Sequence, residues 1–308
     1  MNEAEQKPSG SIRHRVVLAA LIVAVPLLIA AVPFLLGFGF ISALTRQTCG
    51  ADISPQLYGL AAEEVTFASS EFTQAYPAYF IPAATDRTVI VVPTLGAGRG
   101  DLMAAIRLYH EHGFHVLTYR SRVCFGVPHS LGYAEVSAIG DAYTYLLSRP
   151  DVNPSQIALH GFSAGGAAVL MALERYPQIR TAVAHGGYED FERLLSAEAR
   201  GLGELGGFFE AGARAAYTLA TGYPLSVLKP IDAVRRSAPR PILLVYGSTE
   251  VSLEAARAMQ AAAPDRVQLW VVLGAGHGDY IETAGAARYA EVVVGFLDAA
   301  LSAPAPAP

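Results

Sequence analysis

Hydrophobic and polar positions divide the chain unevenly. Residues 16–44 read VVLAALIVAVPLLIAAVPFLLGFGFISAL without a single charge, which exceeds the about 20 residues a helix needs to cross bilayer hydrocarbon. Pro26 and Pro33 fall inside this run. A membrane helix tolerates them, because neighbouring groups re-satisfy the freed backbone. The pattern predicts a transmembrane anchor over 16–44, preceded by a short segment 1–15. A buried core helix is one alternative and a cleaved signal peptide the other. Its apolar region typically spans about 7–15 residues and ends at small residues, whereas this run is longer and ends Leu44-Thr45-Arg46-Gln47.

Beyond a linker at 45–62 the pattern changes to short β-branched runs bounded by turn residues, at 64–67, 75–81, 88–92, 115–119, 156–160, 181–184, 242–246 and 267–272. Between most of them lie segments with apolar residues three and four apart, at 101–112, 134–148, 164–176 and 252–262, with Gly113, Pro150, Pro177 and Pro264 near their ends. Strand and helix therefore alternate. Alternation implies βαβ crossovers and a mostly parallel sheet covered by helices on both faces. Strands that are apolar throughout, rather than at every second residue, fit a sheet buried on both sides.

Between Gly187 and Arg240 the rhythm breaks into helical patterns with glycines at 201, 203, 206, 207 and 212. A helical cap inserted at about 187–240 accounts for this interval; an ordinary lateral helix pair is the alternative. The expected organisation is an α/β domain over 63–300 with that cap, followed by a Pro/Ala-rich tail at 301–308.

Charge narrows the function. Charged residues make up only 16% of the 308 residues and the formal net charge is −5. No block of Lys and Arg could track a phosphate backbone, which argues against a nucleic-acid partner. Lys7, Arg13 and Arg15 precede the apolar run, whereas beyond it Arg46 is followed by Asp52, Glu63 and Glu64. The positive-inside bias then keeps the N-terminus cytoplasmic and the body of the protein outside. That location would permit Cys49 and Cys124 to pair, with unpaired small residues as the alternative.

The candidate chemistry centres on Gly161-Phe162-Ser163-Ala164-Gly165, where an apolar strand runs into G-x-S-x-G and then into an Ala-rich helix. A serine hydroxyl needs a base to take its proton, a carboxylate to orient that base, and N–H donors for the developing oxyanion. Ser163 is the candidate nucleophile, at a strained strand-to-helix turn whose glycines leave room for nearby backbone. His277, in Gly276-His277-Gly278 after the last strand, is the candidate base. Glu250, just past the strand at 242–246, is the candidate acid, and the order Ser, acid, His fits it. Its competing role is to complement the N-terminus of the following helix. Asp190 is the fallback acid.

The N–H groups of Ala164 and of Leu95, in the glycine-rich loop after the strand at 88–92, are the candidate oxyanion donors. That loop lacks the Lys-Ser/Thr pair of a phosphate-binding P-loop. Five other histidines, His110, His112, His115, His160 and His185, are weaker candidates for the base; they sit beside helices or at strand ends, where capping or core hydrogen bonding explains them.

With these motifs the sequence resembles the α/β-hydrolase superfamily, in particular its membrane-anchored serine hydrolases with a single N-terminal span. The likeness runs from about Glu63 to Leu297. It takes in the glycine-rich loop, Tyr119-Arg120, G-x-S-x-G at Ser163, Lys229-Pro230-Ile231-Asp232 and Gly276-His277. The resemblance implies cofactor-free, metal-free acyl transfer on esters, thioesters, amides or lipids. Two departures stand out: Pro93-Thr94 where relatives usually carry His-Gly, and Glu250 where Asp is commoner. The expected partners are a small-molecule or lipid acyl substrate and the membrane. A peptidase or acyltransferase of the same fold, or an inactive membrane-tethered binding module, are the alternatives.

Overall fold

The computed structural model describes residues 9–96 and 102–303, with side chains from His14 onward. Lys7, the side chain of Arg13, residues 97–101 of the glycine-rich loop and residues 304–308 of the tail lie outside that description.

The first helix, α1 (Ser9–Thr45), runs unbroken through Pro26 and Pro33. Eight strands follow: β1 (Glu63–Phe67), β2 (Tyr76–Ile81), β3 (Thr88–Val92), β4 (His115–Tyr119), β5 (Ile157–Phe162), β6 (Thr181–His185), β7 (Ile242–Gly247) and β8 (Val267–Val272). They form one sheet in the order β1-β2-β4-β3-β5-β6-β7-β8. Only β2 runs antiparallel to its neighbours; every pairing from β4 to β8 is parallel.

Each central strand is apolar on both faces because both faces are covered. On β3, Ile90 and Val92 enter one core and Val89 and Val91 the other, as the alternation of side chains along a strand requires. The first core is closed by α3 (Glu135–Leu147), α4 (Ala164–Arg175), α7 (Pro230–Arg236) and α8 (Leu253–Ala262). The second is closed by α2 (Met103–Glu111) and α10 (Ala286–Ser302), the latter reached through the short α9 (Tyr280–Ala284). The chain therefore has an α/β-hydrolase fold.

The interval between β6 and β7 holds α5 (Phe191–Ala199), α6 (Gly206–Thr221) and α7 and, among the described residues, no strand. It meets α1. Residues 14–29 of α1 are exposed all round, but Pro33, Gly37, Ile41 and Thr45 are buried at four-residue spacing, and this stripe packs against α6. Ile41 is fully buried within the first core. The apolar run is thus two things in series, an exposed helix and a helix docked on the domain.

Residues 45–62 are likewise more than a free tether. His129 N–H donates to Thr45 O at 2.8 Å and Gly50 N–H to Gly96 O at 2.7 Å. Cys49 and Cys124 form a disulfide, which answers the pairing that the sequence left open.

Candidate active site

Ser163 is the junction between β5 and α4, with φ 55° and ψ −118°. A residue with a Cβ pays about 1–3 kcal/mol for such backbone, so the flanking strand and helix must impose it. The Ser163 N–H donates to His185 O on the neighbouring strand at 2.7 Å. The close approach expected of the motif glycines is present: a Cβ on Gly161 would lie 2.2 Å from Gly165 O, and one on Gly165 3.1 Å from Pro93 O.

Glu250 follows β7 and His277 follows β8, and the pairing of these strands brings the two together. His277 Nδ1 lies 3.0 Å from Glu250 Oε2. The Glu250 side chain is 1% exposed and that of His277 47%, so the carboxylate is fixed while the imidazole faces the cavity. Three further donors converge on the acid. The Gly247 N–H and the Tyr280 hydroxyl each reach Oε1 at 2.6 Å, and Ser252 Oγ reaches Oε2 at 3.0 Å. Burial by itself would raise the Glu250 pKa; the bonds from His277, Gly247, Tyr280 and Ser252 outweigh it and hold the carboxyl below its usual value. The acid stays charged where an imidazolium would need it. Tyr280 escaped the sequence reading, where its one signal is a place three residues after His277. Burial and the bond to Glu250 push its hydroxyl upward, so it remains a donor.

Ala164 is the first residue of α4, where an N–H has no acceptor within the helix. Leu95 faces the same cavity as Ser163 and Ala164. Its carbonyl accepts from Ser121 Oγ at 2.5 Å, and its φ of 20° is unusual for a residue with a side chain. The next residue, Gly96, carries the carbonyl bonded by Gly50, and a Cβ there would lie 2.3 Å from Thr48 O. The Leu95 loop is therefore supported from segments far away in sequence.

Ser163, Glu250 and His277 line one cavity of about 1160 Å³, shared with Leu44, Leu131, Leu194 and Val251. Ser163 Oγ makes no hydrogen bond to His277 in this structure. Such bonds are often long without substrate and tighten when it binds. Asp190 lines the cavity as well, but its carboxylate caps α5 through the N–H groups of Glu192 and Arg193 and pairs with Lys229 at 3.5 Å. It makes no bond to His277. Glu189 also lines the cavity and, among the described residues, has no ion-pair partner.

Four of the five histidines set aside by the sequence occupy core or capping roles, whereas the Nδ1 of the fifth, His110, is buried without a hydrogen-bond partner among the described residues. Tyr109 bonds His160 at 2.7 Å and Tyr289 bonds His185 at 3.0 Å. Burial pushes His160 down to about 4 and His185 well below its usual value, so both are neutral. His115 accepts from Ala83 N–H at 2.8 Å, and His112 Nδ1 lies 2.8 Å from Leu108 O.

The strand order, the strained β5–α4 elbow that carries Ser163 and the cavity at the carboxyl ends of the parallel strands together mark the protein as an α/β hydrolase. Residues 127–303, more than half of the chain, match the prolyl oligopeptidase family, and the chain belongs to that family. Three solved structures illustrate its likenesses. An esterase of Pyrococcus furiosus superposes with a TM-score of 0.66 at 17% identity, over 84% of this chain and 100% of that one. A puromycin-hydrolyzing peptidase of Mycobacterium tuberculosis gives 0.61 at 16% identity, over 82% of this chain and 41% of that one. The esterase domain of a Rhodothermus marinus protein gives 0.55 at 18%, over 79% and 100%. No curated protein matches.

Proposed function

We propose that the protein is a membrane-anchored serine hydrolase that cleaves carboxylic esters with apolar acyl groups through an acyl-enzyme. The observation that carries this reading is the convergence of Ser163, His277 and the buried, multiply bonded Glu250 on a single cavity. Ser163 Oγ attacks the acyl carbonyl as His277 Nε2 takes its proton, and Glu250 steadies the imidazolium through Nδ1. The Ala164 and Leu95 N–H groups hold the oxyanion. His277 then protonates the departing alcohol, and water, activated by the same imidazole, attacks the acyl-enzyme to release the acid. Leu44, Leu95, Leu131 and Leu194 on the cavity wall suit an apolar acyl group. Residues 16–44 serve as the anchor, and the cations ahead of them keep the N-terminus cytoplasmic, with the catalytic domain outside.

A peptidase is the second reading. Its support is the family match together with Glu189 on the cavity wall, a carboxylate that has no ion-pair partner among the described residues and could hold a substrate ammonium.

A fluorophosphonate probe tests the chemistry. We expect covalent labelling of the wild type, and none of Ser163→Ala or His277→Ala. Labelling that survives Ser163→Ala would overturn the nucleophile. A chain-length series of nitrophenyl esters, run beside aminoacyl anilides, separates the two readings: turnover confined to the anilides would establish the peptidase.

A further inference from the structure

The exposed part of α1 is too short to cross a bilayer by itself. Residues 16–29 are exposed on every side, and at 1.5 Å per residue they measure about 21 Å. The hydrocarbon is about 30 Å thick and takes about 20 helical residues. Starting at Val16, the first residue after Arg15, such a span ends near Leu35 or Leu36. By that depth α1 already has the cap beside it. Ala30 and Ala31 are partly covered, Pro33 and Gly37 are buried, and the two helices cross backbone against backbone. A Cβ on Gly37 would lie 1.9 Å from Phe209 O, and a Cβ on Gly212 would lie 1.9 Å from Phe34 O. Phe40 and Phe209 pack beside this crossing, their rings tilted by 36° with centroids 6.1 Å apart. Small residues that let helix backbones touch are the usual device for packing helices in lipid.

The crossing therefore sits at the membrane boundary, and whatever adjoins Phe209 on the cap meets lipid. What adjoins it is apolar and exposed. Leu202 and Leu205 are each 36% exposed and Phe208 43%, within Gly201-Leu202-Gly203-Glu204-Leu205-Gly206-Gly207-Phe208-Phe209, which carries Glu204 as its single charge. Resting on the anchored reading of α1, we propose that this turn between α5 and α6 is a second membrane contact, with Leu202, Leu205 and Phe208 seated in the outer leaflet against α1. The cavity beneath is walled by Leu44 of α1 and by α5. Its apolar acyl substrate is thereby a lipid of that same leaflet, which reaches Ser163 without passing through water. Delivery from the leaflet spares a long apolar chain the cost of passing through water.

The test uses the full chain in phosphatidylcholine vesicles, its two cysteines left in their disulfide. A fluorophore is placed at Phe208→Cys, at Leu28→Cys within the span, and at Asp265→Cys ahead of β8 at the opposite edge of the sheet. The label at 208 should be quenched by nitroxide-bearing phospholipid at least half as strongly as the label at 28, and be shielded from aqueous iodide several-fold relative to the label at 265. Iodide quenching at 208 equal to that at 265 overturns the contact. A water-exposed label at 28 overturns the anchor and the contact together. Quenching requires no turnover, so failure of the serine chemistry would show in the fluorophosphonate assay and leave this result standing. The substrate claim has its own readout. Leu205→Glu with Phe208→Glu should lower hydrolysis of a long-chain ester embedded in vesicles at least tenfold and leave that of a soluble short-chain ester within twofold; an equal effect on both esters overturns delivery from the leaflet.

Discussion

The two sides of the candidate site are built on opposite plans. The acid-base side is local: Glu250, Gly247 and Ser252 lie within a few residues of one another, His277 and Tyr280 occupy the next loop, and adjacent strands β7 and β8 join them. The oxyanion side is assembled from a distance. Leu95 and Gly96 are held by Ser121, by Gly50 and by the chain leaving α1, which the Cys49–Cys124 disulfide ties to the loop after β4. Local assembly makes a site robust to changes elsewhere, whereas remote assembly subjects it to everything that supports it. In this protein the remote supports include the segment that follows α1.

The sharpest test of the local side is Glu250→Gln. Because Glu250 is buried and orients the imidazole through Nδ1, we expect kcat to fall by about 10⁴, as when a triad acid is replaced by its amide. Steady-state turnover of a soluble nitrophenyl ester measures it. A fall below tenfold would mean that His277 is oriented by something else, and the acid-base side would lose its centre.

For the remote side the matching experiment is Cys49→Ser with Cys124→Ser. The bridge closes a sequence separation of 75 residues, and losing such a link typically costs about 2–4 kcal/mol of stability. Its effect on catalysis should exceed that of a link with no bearing on the site. Loss of a whole oxyanion donor costs about 10²–10³ in kcat; loosening the Leu95 loop should cost about tenfold, mainly in kcat with KM little changed. Unchanged kcat below the melting range would reduce the bridge to a simple staple.

This contrast also decides what could be read from the chain. The strands at 88–92, 115–119 and 267–272 match β3, β4 and β8 to the residue, because apolar β-branched runs flanked by turn residues carry their own boundaries. Ser163, Glu250 and His277 were legible for the same reason, each lying just past a strand. Elsewhere the limits came from tertiary contacts. The strand read as 156–160 extends through Phe162 because β6 pairs with it up to His185. The helix over 16–44 is docked from Pro33 onward because of α6, a partner nearly two hundred residues away. Tyr280, Gly50 and Ser121 carry no motif; only the folded chain brings them to the residues they support.

Tyr280→Phe refines the local side. The Tyr280 hydroxyl donates to an ionised, buried carboxylate and is among the groups holding the Glu250 pKa down. A carboxyl with a depressed folded pKa contributes stability above its unfolded value of about 4.3 and loses it as pH falls through the folded value. Removing the hydroxyl raises the folded pKa, so less stability remains to be lost on acidification. Melting temperature in detergent should therefore decline less steeply below about pH 4.3 in the variant than in the wild type. Turnover should drop severalfold, because three of the four donors to the acid remain. Parallel acid profiles would show that Tyr280 fills space beside Glu250 without governing its charge.

The smallest effect is expected at Asp190, and its smallness is informative because Asp190 is the fallback acid and lies on the cavity wall. Its oxygens are occupied by the N–H groups of Glu192 and Arg193 and by Lys229, which makes it a helix cap. Asp190→Ala should cost about 1 kcal/mol of stability, the usual loss on removing an N-cap, and leave kcat within twofold. Thermal denaturation and ester turnover on one preparation measure both quantities. A loss of kcat by orders of magnitude would transfer the acid from the β7–β8 loops to the start of the cap, and the site would then depend on remote supports on both its sides.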